Sequence, residues 1–419
     1  MHLHAGGATL DAVTNDRSTA RTWAARALVV LIAATAGLLP GLPARAAGAR
    51  ADCEGPESTA PLPDPPWPLR RMRPDLVWPL TRGEGILVAV IDSGVSKDHP
   101  ALAGQVVSGF DFVNGGGDGT CDEAGHGTMI AGIIAGVDSP TSGFHGMAPA
   151  AKIMSLRVLR TNEKTTDENQ PIMIANAIRM ATDKGAKVIN LSLTTAPVPE
   201  LTEAVRYAIA HDVVLVAAAG NDGEPPSDQP DKKEYPAAYE GVIAVGGVDQ
   251  NGDHVQSSTP GDYVDIAAPG LEIEGPAPRG GGYLVEPAGG TSFAAAYITG
   301  TVALVRAYRS DLKGPDIVQR ILRTADRPAN GWDRDVGFGV VNPYWAVVSV
   351  AAEEDVQAPP GQVSLPTPKA DPGQGVRLVA VWTVLLASVL TACVLMSTWV
   401  LTSGRSRRWR PGRPKAEPD

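Results

Sequence analysis

Three short stretches of this chain each offer one polar side chain beside glycine. Ser292 lies in GGTSFAAAYITG, Gly289 to Gly300, where two glycines make a tight turn, Thr291 and Ser292 stand where a helix begins, and small apolar residues let that helix be buried. A hydroxyl held at the positive end of a helix is placed to act as a nucleophile. At neutral pH it needs a base within hydrogen-bond reach, and the base needs a carboxylate to fix its tautomer and stabilise its cation. His126 in GHGT and Asp92 in VAVIDSGV supply those two parts. The chemistry they imply is nucleophilic attack on a carbonyl through an acyl-enzyme.

The elements that must position these side chains follow from hydropathy. Val88 to Val95 reads as a strand buried on both faces, ending in Asp92 and a Ser-Gly turn that lifts the carboxylate out at its carboxyl end. Counting that strand as Leu87–Ile91, five strand-like runs occur, the others at Lys152–Val158, Lys187–Leu191, Val213–Ala218 and Val242–Val245. They alternate with helical patterns at Met129–Ala135, Ile172–Lys184 and Leu201–Ala210, and Pro315–Thr324 forms one more helix after the serine. Strands separated by helices predict an α/β fold in three layers around a mostly parallel sheet, with the reactive groups in loops at the carboxyl ends of strands.

The order acid, base, serine and the D-S-G, H-G-T and G-T-S blocks resemble the subtilisin-type serine proteases. Ala217 to Asn221, AAAGN, matches the block that carries the family's oxyanion-hole asparagine, which the resemblance places at Asn221. It likewise implies that Val188–Thr195, VINLSLTT, runs beside the bound peptide, so that Ser192, Leu193 and Thr194, with Ala218, Ala219 and Gly220, bind substrate. Many relatives have two glycines in place of Thr194 and Thr195; side chains there narrow the cleft and predict a small or unbranched residue before the cut. Ala296 is a second departure, at a position where the family usually has proline. His99 resembles a structural family position. Asp122 and Glu123 read as solvated loop carboxylates. No metal-ligand cluster stands out and no cofactor is expected; subtilisins often bind calcium in loops, and the Asp138–Phe144 loop is ambiguous, so the resemblance leaves calcium open without indicating it.

The ends of the chain set its location. Residues 1–46 read as a signal peptide: Arg17, Arg21 and Arg26 precede an apolar run from Ala27 to Leu39, and Ala44-Arg45-Ala46 offers a cleavage site. Residues 47–79 read as an extended proline-rich arm, with Trp67 and Trp78 as anchors, too short for the folded propeptide most subtilisins carry. The protease domain is predicted over 80–350, a flexible linker over 351–377, a transmembrane helix over 378–401 and a basic cytoplasmic tail over 402–419. The uncharged run from Leu378 to Leu401, at about 1.5 Å per residue, spans a hydrocarbon core of roughly 30 Å, and the basic tail follows the positive-inside rule.

Residues 1–46 carry four arginines against Asp11 and Asp16, and the tail has six basic residues against Glu417 and Asp419, so of the net −10 the body between them carries −16. Such a body excludes nucleic acid as a partner class, because phosphate binding needs clustered Lys and Arg. Of three cysteines Cys393 lies in the expected span, leaving Cys53 and Cys121 to pair in an exported protein. The whole layout resembles the mycosins, membrane-anchored proteases of type VII secretion systems. That resemblance implies processing of secreted protein substrates by a single-pass protein of the cell membrane, its catalytic domain outside the cytoplasm and in company with secretion-channel membrane proteins. The other role it implies is that of a structural subunit of the secretion complex.

Overall fold

The computed structural model of the chain describes residues 53–139, 141–161, 167–227, 232–350, 394 and 396–399. The boundary between two compact units falls between Glu54 and Gly55, and apart from Cys53 everything below concerns the second. In its first strand, β1 (Leu87–Asp92), successive side chains enter opposite cores: Val88 and Val90 join one apolar cluster, Ala89 and Ile91 the other. A strand dry on both faces demands a covering layer above and below. β1 is flanked by β3 (Lys152–Arg157) and β4 (Val188–Leu191). With β2 (Val106–Asp111), β5 (Val214–Ala218), β6 (Val242–Val248) and β7 (Ile266–Pro269) they make a seven-stranded sheet in the order β2-β3-β1-β4-β5-β6-β7, every neighbouring pair parallel. β8 (Ile273–Pro276) and β9 (Tyr283–Glu286) form a separate antiparallel ribbon.

On one face lie α2 (His126–Ala135) and α5 (Thr291–Tyr308); on the other lie α3 (Gln170–Asp183) and α4 (Pro199–Ala210). α6 (Gly314–Arg323) and α7 (Pro343–Val348) complete the layer that holds α5. α5 is buried from Thr291 to Arg306 and packs on α2 and on β4 through β7. Its small residues make that possible. A Cβ on Gly300 would stand 2.4 Å from the Cβ of Met147, so the closest approach of this helix requires glycine.

The five strands and four helices read from hydropathy all occur, within a few residues of the expected ends. β2, β7, β8 and β9 were not foreseen: β7, β8 and β9 are four residues each, and β2, like β9, is only partly buried and shows no continuous apolar run. The arm departs from the extended form expected of it: it contains α1 (Trp67–Met72) and a 3-10 turn at Pro74–Leu76. Leu69, Met72 and Val77 enter the core there, and that burial repays the ordering of a proline-rich segment. Trp67 and Trp78 do anchor it, donating from their indole nitrogens to the carbonyls of Leu271 (3.0 Å) and Met147 (3.1 Å). Cys53 and Cys121 are both disulfide-bonded. The expected signal peptide, linker and cytoplasmic tail lie outside the described residues, as does the expected span except for residues 394 and 396–399. Among the described residues no helix is long and apolar enough to cross a membrane.

Candidate active site

Asp92 ends β1 at the carboxyl edge of the sheet, fully buried. Its Oδ1 accepts the N–H of Ser93 and the Nδ1–H of His126, each at 2.7 Å. A carboxylate can only accept, so the imidazole proton is on Nδ1 and Nε2 is left as the basic nitrogen. The second oxygen, Oδ2, is buried and meets no donor among the described residues. Burial depresses the His126 pKa, but the charge and hydrogen bond of Asp92, with further contributions from Asp122 and Glu286, outweigh it and hold the group above the usual histidine value.

His126 opens α2, whose N-cap is Gly125 with φ +81° and no side chain to cap with. Asp122 does that work from a distance. It accepts the N–H groups of Ala124 (3.2 Å), Gly125 (2.8 Å) and Thr128 (2.8 Å) and the hydroxyls of Ser93 (2.8 Å) and Thr128 (2.6 Å). Ser93 in turn accepts the Gly127 N–H at 3.0 Å. This corrects the solvated reading of Asp122: five donors satisfy a carboxyl with no exposure, and they tie the end of β1 to the first turn of α2. Burial raises its pKa against those hydrogen bonds. Glu123 also has a specific partner, the buried guanidinium of Arg157. The signal available in the sequence was a carboxylate four residues before the histidine, which spacing alone does not distinguish from a loop acid.

Ser292 stands in the first turn of α5, whose N-cap is Gly290. Gly289, at φ +65°, makes the turn beneath it, and a Cβ there would lie 1.9 Å from the Gly270 carbonyl oxygen. The Ser292 hydroxyl donates to the Ser192 carbonyl (3.1 Å), while the Ser192 hydroxyl donates to the Ser292 carbonyl (2.8 Å). Behind them Thr299 donates to Asn190 and Asn190 to Ser192, both at 2.8 Å. Asn221 follows β5, its Oδ1 accepting the N–H (2.9 Å) and hydroxyl (3.0 Å) of Thr291. With the oxygen committed, the amide Nδ2 is the free donor.

His126, Ser292 and Asn221 line one cavity of about 360 Å³. Ser192, Leu193, Thr194, Ala218 and Gly220 line it too, as the sequence suggests. Ala219 does not: its side chain is fully buried in the core beneath α4, because adjacent residues of an extended segment face opposite ways. Leu159, Gln170, Asp222, Glu286 and Phe293 complete the wall and were not foreseen. Phe293 and Asp222 are the chain neighbours of Ser292 and Asn221, whereas Leu159, Gln170 and Glu286 come from segments that no motif marks. His99 is structural: its Nδ1 accepts the Ala101 N–H and its Nε2–H donates to the Gly282 carbonyl, both at 3.0 Å. Among the described residues no cluster of three or more His, Cys, Asp or Glu could hold a metal ion.

A parallel sheet with an Asp–His pair at the end of its central strand and a serine at the start of a buried helix defines a class. Residues 83–339 match Peptidase S8, the subtilase family, and the chain belongs to that family, a serine endopeptidase with the subtilisin-like α/β fold. More particularly, it is 36% identical over 376 residues to Mycosin-4 of Mycobacterium tuberculosis, covering 81% of each chain. Among solved structures it is similar to a protease of the type VII (ESX-3) secretion system, with a TM-score of 0.62, 32% identity and coverage of 70% of this chain and 91% of that one. It is similar as well to a chain of an intact ESX-5 inner membrane complex, with a TM-score of 0.61, 29% identity and coverage of 84% and 98%.

Proposed function

We propose that the chain is a membrane-anchored, extracytoplasmic endopeptidase that processes secreted protein substrates within a type VII secretion system, with Ser292, His126 and Asp92 as its triad. The observation that carries this is the 2.7 Å bond from His126 to Asp92 in the same cleft as Ser292. In the resting arrangement the Ser292 hydroxyl is held by the Ser192 carbonyl. With substrate bound it turns to His126 Nε2 and gives up its proton as its oxygen bonds to the scissile carbonyl carbon; reaction hydrogen bonds commonly close only in the substrate complex. Negative charge then develops on the carbonyl oxygen, where the Asn221 Nδ2–H and the Ser292 N–H stabilise it. His126 passes the proton to the leaving amine, and water repeats the sequence on the acyl-enzyme. Asp92 keeps the imidazole in the correct tautomer and stabilises its cation.

The test is labelling by a fluorophosphonate probe, expected for the wild type and lost in Ser292→Ala. Unlabelled wild-type protein that is folded by circular dichroism would end this reading. A second role, as a structural subunit of a membrane complex, is favoured by the likeness to a chain of an ESX-5 inner membrane complex. If the chain has that role, Ser292→Ala still co-purifies secretion-channel proteins while failing to label.

A further inference from the structure

Resting on the catalytic reading above, we infer that Glu286 makes this enzyme select a basic residue on the leaving side of the cleaved bond. Two acids line the cleft, Asp222 and Glu286, and they differ in one respect. Asp222 is matched by Lys232 at 2.8 Å, and the same ammonium lies 2.8 Å from Glu234, so that wall already carries its own cation. Glu286 has no ion-pair partner among the described residues, and it is only half-buried, open to whatever enters the cleft.

Its side of the cleft follows from strand geometry. Leu284 and Glu286 share one face of β9, and the Leu284 side chain comes within 3.4 Å of where a Cβ on Gly125 would be, against the residue that precedes His126. Glu286 therefore faces the histidine, and its charge acts on that imidazole. The likeness to the subtilisins implies that the acyl half of a substrate runs along Ser192–Thr194 and Ala218–Asn221, residues that line the cleft and include the proposed oxyanion donor. The histidine hands its proton to the departing amine, so the ground beyond it belongs to the residues after the cut. A carboxylate left uncompensated there is complementary to lysine or arginine and repels glutamate.

The experiment uses the full-length chain in detergent and internally quenched peptides that vary one position at a time, two residues before and two after the cut. Wild type should cleave peptides with Lys or Arg at the first or second position after the cut about tenfold faster in kcat/KM than those with Glu. Glu286→Gln should erase that preference and Glu286→Lys reverse it, with the preference before the cut unchanged. Circular dichroism certifies that each variant is folded, and fluorophosphonate labelling, at whatever rate, that Ser292 is still reactive in it. A preference that survives in both labelled variants, one that changes only before the cut, or a wild type that labels but cleaves no member of the panel overturns the assignment of Glu286. Failure of the wild type to label strikes the catalytic reading instead.

Discussion

Asp92 Oδ1 carries two hydrogen bonds while Oδ2 has none among the described residues, so the carboxylate is committed to orienting one nitrogen of one imidazole. Because the pKa of His126 is raised, the base is lost to protonation as pH falls through a value above the ordinary histidine range of about 6.5. A pH profile of kcat/KM should therefore show its acidic limb above that value. Asp92→Asn removes the charge that opposes burial; its acidic limb should move to lower pH, and kcat should drop on the order of 10⁴-fold. Asn221→Ala should lower kcat by about 10²–10³-fold with little change in KM, since the amide meets charge that exists only in the transition state. Steady-state kinetics on one cleaved peptide checks both.

At the scale of the element, α5 places the serine and is itself placed by small residues. Gly300→Val would drive a branched side chain into Met147, which a Cβ alone would meet at 2.4 Å. Overpacking of this kind costs about 1–3 kcal/mol, to be read as a lower denaturant midpoint at unchanged slope. The end of β1 and the start of α2 depend likewise on Asp122. Asp122→Ala strands four buried donors and the partly buried N–H of Ala124, at about 1–3 kcal/mol for each buried one left unsatisfied. That variant should unfold at much lower denaturant and lose labelling in parallel with the loss of fold.

For the whole molecule the arm is the element that distinguishes the chain from a bare catalytic domain. Residues 57–60 run along the segment from Arg279 to Tyr283, with Ser58 bonded to the Tyr283 carbonyl at 2.7 Å, yet none of the described arm residues lines the catalytic cavity. The arm should stabilise without inhibiting: cutting it by limited proteolysis should lower the melting temperature and leave peptide hydrolysis no faster. Thr194 lines the cleft, and Thr195 is tied back, its N–H to the Tyr235 carbonyl at 2.8 Å and its hydroxyl to Gln170 at 3.3 Å. Only the Thr194 side chain is therefore left to narrow the cleft, and library cleavage should still favour small or unbranched residues before the cut.

The sequence by itself determined the alternation of strands and helices, the residues of the Asp–His pair and the serine, and the tryptophan anchors of the arm. All of these are written in local signals: a dry strand that ends in an acid, a glycine turn before a small-residue helix, an indole in a proline-rich run. Only the tertiary structure decided that Asp122 is a buried knot and not a solvated acid, that Ala219 turns into the core between two residues that face the cleft, and that Glu286 arrives beside His126. These depend on which distant donors, cores and cations come within a few ångströms, and a parallel sheet assembles those neighbours from segments that share no local pattern.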